Sequence, residues 1–274
     1  MIATVLRNEV FAGNRAIGTI RLAAAATDGI TRRTRVHEAG SLRVRFPNVV
    51  GPDALDAVIV NTAGGMTGGD CFAIDVGVTA GGRLTVSTAA AEKIYRSLGA
   101  DTKIDIALKV GNDSTLHWLP QETFLFDQAR LHRSIDVDLA TDARLLLAEA
   151  AIFGRAAMGE KLQTGHLTDR WRVRRDGKLI FAETSRLDGA IAKQLDDCAV
   201  AAGGAAVAAL IAVPGDDTIL AALRSTVFAG ETGISAWNGI AVARFVAADG
   251  ATLRRDLTNV LTTLRGELPR SWLN

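Results

Sequence analysis

The sequence predicts a mainly β protein, with many short strands in a β-solenoid-like or layered scaffold and about two helices in the C-terminal quarter. Three observations carry this reading. Apolar and polar residues alternate with a period of two through most of the first three quarters of the chain, which places one set of side chains inward and the other in water. Turn residues recur between these runs at about 8–12 residues, the pattern of an all-β architecture rather than of alternating strands and helices. The 27 glycines stand against only five prolines and follow no repeat period, so they supply tight turns rather than low complexity.

Taken in order, residues 72–78, 83–87, 103–110 and 134–139 alternate as strands, separated by Ala80-Gly81-Gly82, Gly111-Asn112-Asp113 and, beyond the last, Thr141-Asp142. Residues 170–183 form the clearest hairpin, because Asp176-Gly177 tolerates the positive φ values of a type I′ turn. Its alternate arginines read as a solvated face, as does Arg32-Arg33-Thr34-Arg35. After Pro214, Asp216 and Asp217 offer capping acids ahead of apolar residues at helical spacing, so a helix starts there. Residues 239–246 alternate again. Residues 254–264, with Leu257, Val260, Leu261 and Leu264 on one face, form a second amphipathic helix ending near Gly266 and Pro269. No proline- or serine-rich linker interrupts the chain, and its 274 residues are read as one domain, 1–274.

Composition excludes several function classes. With 31 Lys+Arg against 30 Asp+Glu, no field of one sign exists to steer the chain onto nucleic acid or anionic lipid. Cys71 and Cys198 are too few for a disulfide framework. Residues 1–9 meet charge too early for a signal peptide, and the apolar run 199–213 falls short of the roughly 18 residues that mark a membrane span. The expectation is a soluble, cytoplasmic protein.

The search for chemistry finds no pre-formed centre. The four histidines, His37, His117, His132 and His166, are isolated, there is no Cys-x-x-Cys, and no serine lies in a nucleophile elbow. The segment Asn61-Thr62-Ala63-Gly64-Gly65-Met66-Thr67-Gly68-Gly69-Asp70 fits neither a P-loop nor a dinucleotide fingerprint, since strand patterns flank it on both sides. It reads as a glycine-permitted reversal between two strands. Acids interrupt apolar runs at Glu149 and Glu183. A buried carboxylate needs a partner, a proton or a wet cavity, so Glu149 either lines a cavity, faces out from an edge strand, or pairs with an arginine such as Arg155 or Arg186.

Four long motifs in fixed order carry a resemblance: the segment 61–70 quoted above, 87–97 (STAAAEKIYRS), 118–127 (WLPQETFLFD) and 149–160 (EAAIFGRAAMGE), joined by the tail 268–272 (LPRSW). Together they resemble the urease accessory protein UreD (UreH) family, over about residues 40–189. Ser41, Cys71 and Gln128 depart from the family's usual proline, polar residue and glycine. The resemblance implies a non-enzymatic, β-rich protein with no tightly bound cofactor. It implies a bridge between apo-urease on one side and the accessory protein UreF on another, with UreF recruiting the GTPase UreG, which carries nickel. It also implies an internal passage for nickel(II) in transit, to which Asp70, Glu92, Glu149 and Glu183 correspond by position. Carboxylates and water hold nickel less firmly than an imidazole or thiolate cluster, as transit requires. Trp272 is read as packing on its own domain rather than on a partner.

The rival reading is a β-solenoid carbohydrate-active enzyme using paired carboxylates, Asp136 with Asp138 or Glu149 with Glu183, as acid and base. Against it stand a single tyrosine, Tyr95, and 5% aromatic residues, too few for the platforms on which sugars stack.

Overall fold

The computed structural model describes residues 14–47 and 53–273. The reading of residues 1–9 lies outside the described residues. The described residues open with the hairpin β1 (Ile17–Thr27) and β2 (Ile30–Gly40), followed by β3 (Leu42–Arg45) antiparallel to β4 (Ala54–Asn61). From β4 onward it winds as a solenoid. β5 (Cys71–Thr79), β8 (Thr102–Val110), β11 (Arg130–Leu139) and β13 (Gly165–Arg175) lie parallel in one sheet; β4, β6 (Arg83–Thr88), β9 (Thr115–Leu119) and β12 (Arg144–Phe153) lie parallel in the other. Each coil takes one long strand from each sheet.

The period-two runs face their apolar members into the space between the sheets. Phe72, Ile74, Val76 and Val78 on β5, and Ile104, Ile106, Leu108 and Val110 on β8, are buried there against Leu84, Val86, Leu116 and Trp118 of the opposite sheet. The turn signals are the corners of successive coils, stacked on one another. Gly81 N–H donates to Asn112 O at 3.4 Å, Asp113 N–H to Asp142 Oδ1 at 3.0 Å, and Thr141 Oγ1 to Asp176 Oδ2 at 2.7 Å. The first of these bonds is between backbones and the other two involve side chains; they satisfy corner groups that no strand ladder reaches.

Antiparallel strands close the sheets. β14 (Lys178–Gly189) pairs with β13 through the expected Asp176-Gly177 turn, where both residues have positive φ, 48° and 75°. The hairpin's arginines do lie outward: Arg170 and Arg174 pair with Asp136 on the neighbouring strand. β15 (Ala206–Val213), β17 (Ile240–Ala247) and β16 (Glu231–Trp237) extend the other sheet, giving seven and ten strands in all. The second half of the apolar run 199–213 thus becomes a strand covered on both faces, with Ile211 and Val213 in the core between the sheets and Ala208 and Leu210 in a second core under the helices.

That second core lies beneath the helices Asp217–Ser225 and Gly250–Arg265. The first starts as expected, with Asp216 accepting from Ile219 N–H at 2.9 Å. The second begins four residues before the expected Arg254, because Asp249 Oδ1 accepts from Thr252 N–H at 2.8 Å and so caps a start at a glycine. A short helix, Ile191–Leu195, was not expected. Trp272 packs on its own chain, as read: its indole N–H donates to Leu119 O at 2.9 Å and it is 3% exposed.

Candidate functional site

All four motif segments fall at the same end of the solenoid, as the corners of consecutive coils opposite the Asx corners. The glycine segment 61–70 carries the chain from β4 across to β5 in the other sheet; the structure therefore agrees with a reversal between strands but makes it a crossing, not a hairpin. Gly65 has φ 146° and lies so close to Tyr95 that a Cβ there would meet its ring at 2.3 Å. The next motifs form β7 (Glu92–Ile94) and β10 (Thr123–Leu125), and Met66, β7, β10 and the end of β12 stack in parallel. Gln128, where the resemblance leads one to expect glycine, has a positive φ of 63°.

This stacking splits the ten-stranded sheet. Pro120 interrupts the chain between β9 and β10, so β12 pairs with β9 along Arg144–Leu147 and with β10 along Ala151–Phe153. The residues between, Ala148, Glu149 and Ala150, keep a ladder only to β15. The split opens a cavity of about 180 Å³, lined by Asn61, Gly65, Glu92, Trp118, Arg133 and Glu149 among others. Glu92 is oriented there by Asn61, whose Nδ2 donates to its two oxygens at 3.0 and 3.1 Å, and by Lys93 N–H at 3.0 Å. Burial pushes its carboxyl above the ordinary glutamate value, against the lowering effect of these donors.

At the inner end of this cavity lies a buried charge trio. Arg133 on β11 and Asp169 on β13 are register partners on the inner face of one sheet, and Glu149 reaches toward them from the other. Arg133 Nε donates to Asp169 Oδ1 at 3.0 Å and Nη2 to Oδ2 at 2.5 Å, a fork, while Nη1 donates to Glu149 Oε2. Each carboxylate also accepts from an indole, Glu149 from Trp118 Nε1 at 2.8 Å and Asp169 from Trp171 Nε1 at 2.9 Å. Burial opposes the charge on Arg133, but Asp169 and Glu149 outweigh it and hold the guanidinium protonated beyond its usual range. Burial raises the Glu149 carboxyl, with Arg133 and Trp118 pulling it back down.

Beyond the trio is an open cleft of about 820 Å³ between the β13–β14 edge and the β15–β17 edge. Arg133, Glu149 and Asp169 line it too, so the two cavities share Arg133 and Glu149 as a common wall. Glu183 on β14 also lines the cleft and pairs with Arg244 on β17, linking the two sheets.

Three of the four sequence-predicted acids therefore border two adjoining cavities: Glu92 in the inner cavity, Glu149 in the shared wall and Glu183 in the cleft. Asp70 lines neither cavity. It is 4% exposed and clamps the glycine segment, accepting from Ala16 N–H and Thr67 N–H, each at 2.8 Å. Glu149 does not pair with Arg155 or Arg186; these are engaged with Glu160 and Asp188, and its partner is Arg133. Arg133 and Asp169 were missed, yet parity marks both. Arg133 takes the inward phase of Leu131, Ile135 and Val137, and Asp169 that of Leu167, Trp171 and Val173.

Every carboxylate along this route already has protein donors, so a cation entering it meets ligands it must share. Among the described residues no group of three or more His, Cys, Asp or Glu is placed to hold a metal ion. The acid pairs of the glycosidase reading are likewise engaged: Asp136 by Arg170 and Arg174 on the outer face, Glu149 and Glu183 by Arg133 and Arg244. No helix among the described residues is long and apolar enough to cross a membrane.

Comparison with known proteins identifies the architecture. The family model described as "UreD urease accessory protein" matches residues 16–272. A urease accessory protein UreD of Rhodopseudomonas palustris strain BisA53 is 54% identical over 273 residues, covering 99% of this chain and 95% of that relative. Its counterpart in strain HaA2 is 56% identical over 269 residues, covering 97% and 96%. The UreD of Bradyrhizobium diazoefficiens is 52% identical over 269 residues, covering 97% of each chain. A match spanning both sheets, both cavities and the C-terminal tail means that this chain belongs to the UreD family of urease accessory proteins.

Proposed function

We propose that this protein acts in urease maturation as a non-catalytic scaffold, one unit over residues 1–274, that binds the urease apoprotein and, through UreF, the GTPase UreG. In this reading it gives nickel(II) a route toward the urease active site in the cytoplasm. The observation that carries the nickel route is the shared wall of the two cavities. Glu92 lies before it, Glu149 in it and Glu183 beyond it, so carboxylates recur along a path through the interior. Nickel(II) accepts oxygen ligands, and single carboxylates already shared with protein donors bind it weakly enough to release it. Asp70 supports the entrance only indirectly, by holding the glycine segment beside Glu92.

Urease matured in cells carrying Glu92→Gln or Glu149→Gln should contain less nickel than urease matured with the wild-type chain, while each variant still co-purifies with urease subunits and UreF. Normal nickel content with either variant removes that residue from the route. Failure of the wild-type chain to retain urease or UreF in a pull-down from operon-expressing cells would refute the scaffold itself.

A further inference from the structure

The two cavities do not join freely, because the Arg133 guanidinium stands between them. It is nearly fully enclosed, at 5% exposure, as is Glu149. Its attachment is uneven: two hydrogen bonds hold it to Asp169, on the adjacent strand of its own sheet, and one to Glu149 across the interior. The weaker attachment is the one that spans the route. A dication approaching from the inner cavity meets a positive charge there, in a medium where like charges repel far more than in water. It also meets Glu149, whose Oε1 is fixed by Trp118 and whose Oε2 is taken by Arg133.

We propose that Arg133 is the resident counter-cation of this junction: it closes the route at rest, and a small divalent cation crosses by taking its place on Glu149 while the guanidinium stays forked to Asp169. The proposal rests on the passage reading above and adds the reason that the passage does not become a store. With both carboxylates ionised, the trio carries one net negative charge; without Arg133 it carries two, which one dication neutralises. The arginine therefore keeps two facing carboxylates from forming a cation sink, and its return after a crossing expels the cargo. No bond is made or broken beyond exchange of ligands on the cation.

The test compares Arg133→Met, Arg133→Lys, Glu92→Gln and Glu149→Gln in the full chain co-expressed with the urease operon. Two quantities are read: nickel retained by the purified chain after gel filtration in nickel-containing buffer, and nickel content of the urease matured. Arg133→Met should retain about one more nickel per chain than wild type, as two unpaired carboxylates in a dry site demand, and should lower urease loading. Arg133→Lys keeps a positive charge between the two acids but loses the fork, so it should retain no more nickel than wild type. Folded Arg133→Met with wild-type retention overturns the proposal. If Arg133→Met does not fold, Arg133→Lys decides: extra nickel retained although the charge is kept overturns it. Wild-type loading with both Glu92→Gln and Glu149→Gln would instead sink the passage itself, so the two failures are told apart.

Discussion

Glu149→Gln and Asp169→Asn, made separately, measure how the buried trio is held. Glutamine keeps an oxygen for the Trp118 indole but turns an amide toward Arg133, so one charge-assisted hydrogen bond is lost while the fork to Asp169 remains. A hydrogen bond to a charged group contributes about 1.5–3 kcal/mol, and that is the expected destabilisation. Asp169→Asn breaks the fork and leaves Arg133 with a single carboxylate that it holds through one nitrogen. Breaking one partner of a buried ion pair costs about 3–5 kcal/mol, so this change should be the larger. The double variant should cost more than either single one but not their sum, because both act on the same guanidinium. Urea unfolding followed by tryptophan fluorescence is a suitable assay, since Trp118 and Trp171 both donate into the trio. In thermal melts each kcal/mol corresponds to about 2–4 °C for a chain of this size. Equal midpoints for the two single variants would refute the ranking, because the fork would then hold Arg133 no more firmly than the single bond to Glu149; no shift with Glu149→Gln would refute the reasoning as a whole, because the trio would then be solvated.

Three further outcomes follow from other parts of the structure. His117 on β9 shares a rung with Thr85, and Arg265 donates to Thr85 from above; burial and the charge of Arg265 push the imidazole down to about 3. The native chain thus stays unprotonated where the unfolded chain takes up a proton. Stability present above about pH 6.5 should fall on acidification toward pH 3 by up to about 1.4 kcal/mol per pH unit, and His117→Asn should flatten that slope in unfolding measured at stepped pH. Gly65→Ala should destabilise more than Gly64→Ala in the same assay. Both have positive φ, a strain of about 1–2 kcal/mol for alanine, but only at Gly65 does the new Cβ collide with Tyr95, whereas Gly64 has open space around it. Trp272→Ala should cost about 3–5 kcal/mol, the usual loss for emptying a buried tryptophan site, and should shift the unfolding midpoint although the residue is third from the end of the chain.

The solenoid was legible because its rules are local. A period of two follows from strand geometry, the Asx and glycine corners follow from tolerance of positive φ, and Asp216 caps its helix through a residue three positions away. The motifs resolved the family for a related reason: each is a corner whose backbone must pass close to its neighbours, as Gly65 does to Tyr95. The start of the last helix was misplaced where a local cap, Asp249, preceded glycine and so contradicted helix propensity.

What the tertiary structure alone decided is pairing. The sequence by itself established that Glu149, if buried, needed a partner, a proton or a wet cavity, because an unpaired buried carboxylate costs too much free energy. It could not name Arg133, since that contact crosses between two sheets and register within a solenoid is set by how the coils stack. It likewise could not separate Asp70, whose oxygens are spent on backbone N–H groups, from Glu92, whose carboxylate faces a cavity. Which charged side chains meet, and which cavity they share, depends on residues brought together from distant coils. Arg133 and Asp169 each stand one residue before an alternating run and in its inward phase, a signal of charge entering the core that the sequence carries unread; only the folded stack of coils determined that the two charges meet beside Glu149 and stand between two cavities.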